Sequence, residues 1–306
     1  AASDVYKRQL SELVEGIDGK LITDGEFEIM NYCTADIKKN FLTFLENPKF
    51  LKKINSNVSC IICKEEYMNQ LPKHIKGIFI SEEPKYCFHK LFHKMNQNRV
   101  KENNKTCIGR NCAISSMAFV AKNNVVIGDN VTIEPFVVVN ENVTIKNGCT
   151  IHSNSVIGGR SFSEARSIKG EMCGLDNMGH TVIEENVEIM SQTHIAQGIW
   201  EDDITYIGKN SRIDAMCHIG HGVSIGNSVL IAAGAIIGGN TKIDNNVWVG
   251  INATVSNRLK IGENARVSLG AVVTKNVEKN TIVTGNFAIE HRRFIEQIKA
   301  NSTRGM

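Results

Sequence analysis

Histidine titrates nearest neutrality, so it leads any search for acid–base chemistry. Nine histidines are present, and three of them, His194, His218 and His221, fall in one stretch of regular sequence. The last two stand in the run Arg212-Ile213-Asp214-Ala215-Met216-Cys217-His218-Ile219-Gly220-His221-Gly222-Val223. Two readings fit: proton transfer, or imidazoles merely solvated or stacked on a wall. A metal is not expected, because neighbouring positions offer no cysteine or carboxylate at a familiar ligand spacing. Cys60 and Cys63 form a C-x-x-C inside the apolar run Val-Ser-Cys-Ile-Ile-Cys, with no second pair to complete a tetrahedral site. They read as buried strand thiols. The cysteines number nine, odd and scattered, which suits reduced thiols and a cytoplasmic setting.

The elements that hold these histidines follow from a repeat. Stepping by six from Ile127 gives Ile133, Val139, Ile145, Ile151 and Ile157. Stepping by six from Ile183 to Val273 meets Ile or Val at every position except Glu201. A helix repeats near 3.6 residues and a plain strand at 2, so a period of six fits neither. It fits short strands with a turn in each hexad, coiled into a prism whose walls are parallel sheets. The aliphatic ladder then fills a narrow interior with no room for rings. Aromatic residues are accordingly only 6% of the 306-residue chain. An earlier ladder, Ile108, Ile114 and Val120, slips by one before Ile127. The period breaks at 158–182, read as a long surface loop, and again at Trp200-Glu201-Asp202-Asp203.

The spacing places an α/β domain at 11–100, the solenoid at 101–280 and a helical tail at 281–306. Strands are expected at Val58–Cys63 and Gly77–Ile80, and helices at Lys64–Leu71, Tyr86–Met95 and from Ile289 to about Ala300. Residues 1–10 join no pattern and are not taken as native. A net charge of +3 and few aromatics argue against nucleic acid as a partner. No window is long and apolar enough for a membrane-spanning helix, and the first residues do not read as a secretory signal.

The run from Gly179 to Gly226 resembles the UDP-3-O-acylglucosamine N-acyltransferases of lipid A assembly, within the hexapeptide-repeat acyltransferases. The family's Ile-Asp-Asn stretch stands here as Ile213-Asp214-Ala215. Its Ile-Ala-His-Asn-Val stands as Ile219-Gly220-His221-Gly222-Val223, with the Asp-to-His interval of seven kept. The resemblance implies a mainly β fold, a left-handed parallel β-helix with three hexads per coil. It implies His221 as general base and Asp214 as the acidic partner that orients it or stabilises its charged form. In the N-terminal domain, Phe44, Asn47 and Phe50 keep the family's spacing of aromatic, amide and aromatic, which implies contact with uridine. Two aromatic faces can sandwich a base while an amide reads its edge. The competing reading of Phe44 and Phe50 is ordinary core.

The resemblance further implies acyl transfer from an acyl carrier protein thioester to the amine of a UDP-linked amino sugar. It also implies a homotrimer and no tightly bound cofactor. Gly220, Gly222, His218 and Arg258 are the candidates for holding the developing oxyanion or the donor. A basic cluster, His291, Arg292, Arg293, Lys299 and Arg304, could steer an acidic carrier. Several positions depart from the family: Ala215 and Gly222 replace asparagines, and Arg258 falls near its second histidine. The ending Val283–Ala288 is similar to that of sugar acetyltransferases, with Phe287 in place of proline. The alternatives are an acetyl-CoA-dependent sugar acetyltransferase of surface polysaccharide synthesis and a non-enzymatic hexapeptide scaffold.

Overall fold

A computed structural model of the chain describes residues 7–35, 37–97, 103–285, 290–293 and 295–296. Two compact units emerge. One is built from residues 1–104, 160–179 and 198–203, and the other from the remainder.

The larger unit is a parallel β-helix of three sheets with eight, eight and nine strands. Its strands are mostly two residues long, as a turn in every hexad requires. Paired residues lie eighteen apart, Ile213 with Ile231 and Ile231 with Val249, so three hexads close one coil. In the first coil the partners lie nineteen apart, Ile114 with Ile133 and Val120 with Val139, which is the slip seen in the ladder. The interior is a column of Ile, Val, Ala and Cys, and no aromatic belongs to its buried cluster among the described residues. Hydroxyls at inward corners are tied to the next coil. Thr193 Oγ1 donates to the Asp214 carbonyl at 2.7 Å, and Ser211 Oγ to that of Gly226 at 3.0 Å.

Every coil must turn three times within few residues, and the corners adopt left-handed backbone. Most of these positions are asparagine, including Asn130, Asn186, Asn210, Asn246 and Asn264. Asparagine and glycine enter this region at lower cost than branched or bulky residues. Met216 and Arg258 are exceptions, with φ of 58° and 60°.

The smaller unit has a five-stranded sheet with Val58–Cys63 at its centre, buried along its whole length. Phe41–Leu45 and Gly77–Ile80 flank it in parallel, and Lys20–Thr23 closes one edge antiparallel. The expected strands are present. The helix expected at Tyr86–Met95 runs over Pro84–Gln97, while Lys64–Leu71 forms a 3-10 helix over Glu65–Gln70. Of the helix expected from Ile289, only 291–293, 295 and 296 are described as helical; Phe287, Lys299 and Arg304 lie outside the described residues.

The two breaks in the hexad belong to this smaller unit. Residues 160–179 form a hairpin, Glu164–Arg166 against Met172–Gly174, and do not run as a free surface loop. Helix Pro84–Gln97 grips that hairpin. Lys85 Nζ donates to the Glu164 carbonyl at 2.8 Å, and the Tyr86 hydroxyl to Glu171 at 2.8 Å. His89 Nδ1 meets the Cys173 carbonyl at 2.7 Å. The second insertion, 198–203, is six residues long. It preserves the arithmetic of the repeat while leaving the wall, so Glu201 is no member of the ladder. It also delivers Trp200 to an aromatic cluster, 5.1 Å from Tyr32, 5.6 Å from Phe92 and 6.0 Å from Phe88. Leu175, Ile199 and Trp200 are buried there with Phe27 and Leu91.

Trp200 is therefore core, although its sequence position lies far from the rest of that cluster. Trp200→Ala is expected to destabilise the smaller unit by about 3–5 kcal/mol. Urea unfolding followed by near-ultraviolet circular dichroism checks this; a loss below about 1 kcal/mol would show the insertion to be peripheral.

Candidate active site

One coil carries the candidate residues. Arg212–Ile213 and His218–Ile219 are wall strands, and Asp214 and His221 lie just past them at successive corners. Asp214 builds its corner through the backbone. Its carboxylate accepts from the Ala215 N–H at 2.7 Å and from the Ala233 N–H, one coil on, at 3.1 Å. Asp214 thus holds the turn leading into the histidine strand and does not orient the imidazole. Among the described residues, His221 Nδ1 is buried without a hydrogen-bond partner.

His221 is fixed by its neighbours. Its carbonyl accepts from Asn240 N–H at 2.8 Å, and the next residue, Gly222, has left-handed backbone with φ of 63°. A Cβ at Gly222 would stand 2.4 Å from Asn240 Oδ1. Eighteen residues beyond His221 lies Gly239, and the imidazole occupies the space a side chain there would need. A Cβ at Gly239 would stand 2.6 Å from His221 Nε2. Burial pushes the His221 pKa down to about 4, with Arg258 and then His218 adding to the effect, so the ring is a neutral proton acceptor at pH 7.

His218 and His194 pair across adjacent coils and stack face to face, 5.1 Å apart and 8° from parallel. Burial lowers both pKa values, and His218 adds to the effect on His194. The wall-stacking reading thus describes this pair. The glycine backbone is already engaged: Gly220 N–H donates to the Ile237 carbonyl at 2.9 Å, and Gly222 N–H to Thr205 Oγ1 at 2.9 Å. Neither N–H is free for an oxyanion. The described residues hold no group of three or more potential metal ligands.

In the smaller unit the structure separates the aromatic pair. Phe44 packs with Phe88 at 5.1 Å and Tyr32 at 6.2 Å, whereas Phe50 packs with the other cluster, around Phe41 and Ile61. Asn47 is exposed, and its Oδ1 caps the 3-10 helix Pro48–Lys53 by accepting from Lys49 N–H. These two rings do not form a preset sandwich.

Thr205, Gly239 and Asn240 were not singled out in the sequence. The signal was available: Gly239 and Asn240 are eighteen residues on from His221 and Gly222, one coil apart. Only the coil length makes them neighbours.

Comparison with known proteins agrees with this architecture. The family model for the bacterial transferase hexapeptide (six repeats) matches residues 124–159 and 204–239. A UDP-3-O-acylglucosamine N-acyltransferase from Helicobacter pylori is 23% identical over 255 residues, covering 70% of this chain and 69% of the relative. One from Coxiella burnetii is 25% identical over 243 residues, with the same coverage. The solved UDP-N-acetylglucosamine acyltransferase from Campylobacter jejuni superposes with a TM-score of 0.52 at 21% identity, over 67% of this chain and 84% of that one; it supports the fold. No helix among the described residues is long and apolar enough to cross a membrane.

The depressed histidines make stability depend on pH. His89, fully buried, also has its pKa lowered to about 4 by burial. Below pH 6.5 the unfolded chain takes up protons that folded His89 and His221 refuse. Their contribution is therefore complete above pH 6.5, falls as the pH drops and levels off below about 4. Urea midpoints at pH 7, 6, 5 and 4 are expected to decline over that window, and His221→Gln to flatten the decline. A midpoint constant from pH 7 to 4 would contradict the buried neutral imidazoles. The chain thus has a left-handed parallel β-helix fold with matches to the hexapeptide repeat, and it is similar over 70% of its length to proteins named UDP-3-O-acylglucosamine N-acyltransferase.

Proposed function

We propose that the chain transfers an acyl group from an acyl carrier protein thioester to the amine of a UDP-linked amino sugar, as in lipid A assembly. The observation that carries this is His221, a neutral imidazole with a fixed backbone, in the motif that the resemblance gives to the general base. The acceptor nitrogen attacks the thioester carbon while His221 removes a proton from it. The tetrahedral intermediate then collapses, the carbon–sulfur bond breaks, and the departing thiolate takes the proton back from His221. His218 and Arg258 are the side chains proposed to face the oxyanion, since positive or donating groups there stabilise developing charge. Asp214 acts at one remove, by shaping the corner. No covalent intermediate on the protein is needed, because a thioester is already activated.

Asn47 and Phe50 are the groups proposed to meet the uridine, with Phe44 behind them in the core. The described basic residues of the tail, His291, Arg292 and Arg293, are proposed to attract the acidic carrier. A homotrimer is proposed, with the site in the groove between copies. Its support is the number of large apolar residues left exposed on the β-helix, Met117, Phe119, Phe136, Met216, Ile236 and Ile251 among them. The reaction is placed in the cytoplasm, in keeping with nine free thiols.

Purified protein given UDP-amino sugars with either acyl carrier or acetyl-CoA donors, read by mass, tests the reading. A long hydroxyacyl mass increment is expected; an acetyl increment would favour the sugar acetyltransferase, and no transfer from either donor the scaffold. His221→Gln is expected to lower kcat/KM by about 10²–10⁴-fold. Full activity in that variant would remove His221 from the chemistry. Asn47→Ala and Phe50→Ala are each expected to weaken UDP-sugar binding roughly tenfold in calorimetry. Unchanged affinity would reject the nucleotide assignment.

A further inference from the structure

The corner that carries His221 is built differently from its neighbours. At neighbouring left-handed corners of the β-helix the N–H donates to the carbonyl nineteen residues back, in the preceding coil. Ser228 donates to Lys209 at 2.8 Å, Gly234 to Ala215 at 3.0 Å, Asn240 to His221 at 2.8 Å and Arg258 to Gly239 at 2.9 Å. Nineteen residues back from Gly222 is Asp203, the last residue of the insertion 198–203 that leaves the wall. The ordinary corner of the preceding coil is therefore missing, and with it the usual acceptor. The Gly222 N–H donates instead to Thr205 Oγ1 at 2.9 Å.

Packing alone does not call for a hydroxyl at 205. Val143 pairs with Thr181 and Thr181 with Thr205, so the three hold one inward position in successive coils, and all are buried. Valine fills that position as well as threonine does, and Thr181 Oγ1 has no hydrogen-bond partner among the described residues. Other inward hydroxyls accept from the residue after a corner: Cys217 N–H donates to Thr193 Oγ1 at 3.2 Å, and Val229 N–H to Ser211 Oγ at 3.1 Å. The Thr205 hydroxyl serves the corner residue itself. The planar peptide between His221 and Gly222 is then held at both ends, its carbonyl by Asn240 N–H at 2.8 Å and its N–H by Thr205.

We infer that Thr205 is a positioning residue for the base: its hydroxyl replaces the corner carbonyl lost to the insertion and sets the peptide that aims His221. This rests on the reading of His221 as the base. A small misplacement of a catalytic group costs rate, because the reacting atoms must meet within a narrow range of distance and angle.

Thr205→Val and Thr205→Ser in the intact protein test this, with Thr181→Val as the control one coil earlier. The readouts are hydrogen exchange of the Gly222 amide and the separate values of kcat and KM. In the wild type that amide is expected to be protected. Thr205→Val is expected to speed its exchange about fivefold and to lower kcat about tenfold with KM little changed. Thr205→Ser, which keeps the hydroxyl, and Thr181→Val are expected to match wild type in both. An unprotected Gly222 amide in the wild type, unchanged exchange or unchanged kcat in Thr205→Val, or an equal loss of kcat in Thr181→Val would overturn the proposal. Full activity in His221→Gln would instead defeat the reading of the base, while amide exchange would still report the hydroxyl's hold on the corner.

Discussion

The eighteen-residue offset between hydrogen-bonded coils is the constraint from which the rest follows. Parallel strands two residues long carry too few bonds to be stable alone, and each coil buries its aliphatic face only by stacking on the next. The offset therefore has to be kept along the wall, and every side chain acquires a neighbour one coil away. Inside, that rule gives a column of Ile and Val. At the corners, it gives columns of asparagine and glycine. On the outer wall, it puts His194 against His218.

The offset also explains how the interruptions are tolerated. Both insertions leave the wall and return to the same register: Ile183 pairs with Ile145 and Ile207 with Ile183. Outside the wall, the inserted residues are released from the demand for narrow aliphatic side chains. They carry Trp200 and Leu175 into the core of the smaller unit, which has bulky aromatics and a conventional sheet. The scarcity of aromatics is a property of the prism, and the smaller unit collects the rings that the prism cannot hold.

At the candidate site the stacking rule has chemical consequences. His221 lies over a glycine because a larger residue at 239 would take the ring's place. Its carbonyl and the N–H of Gly222 are committed to Asn240 and Thr205, so the imidazole rests on a framework with little freedom. Nearby backbone N–H groups are consumed by the same framework. A β-helix wall therefore offers side chains for catalysis more readily than backbone donors, and the corners are where side chains gain room.

The sequence by itself determined the parallel β-helix, because a strict period of six admits few other structures. It also determined the strands of the smaller unit, whose apolar runs are unambiguous, and the prominence of His221, through a short motif. Tertiary structure decided the matters that depend on vertical neighbours. The residue type at Glu201 marks a break in the ladder, but only the strand pairing shows that all six residues of 198–203 leave the wall, because a six-residue insertion keeps the count of six. Phe44 and Phe50 have the spacing of a sandwich, but the sheet and the following 3-10 helix send their rings into different clusters. Asp214 keeps its interval from His221, but backbone N–H groups one and nineteen residues on are better placed to take its carboxylate. Spacing along the chain fixes which residues can share a coil; only stacking fixes which residues meet between coils.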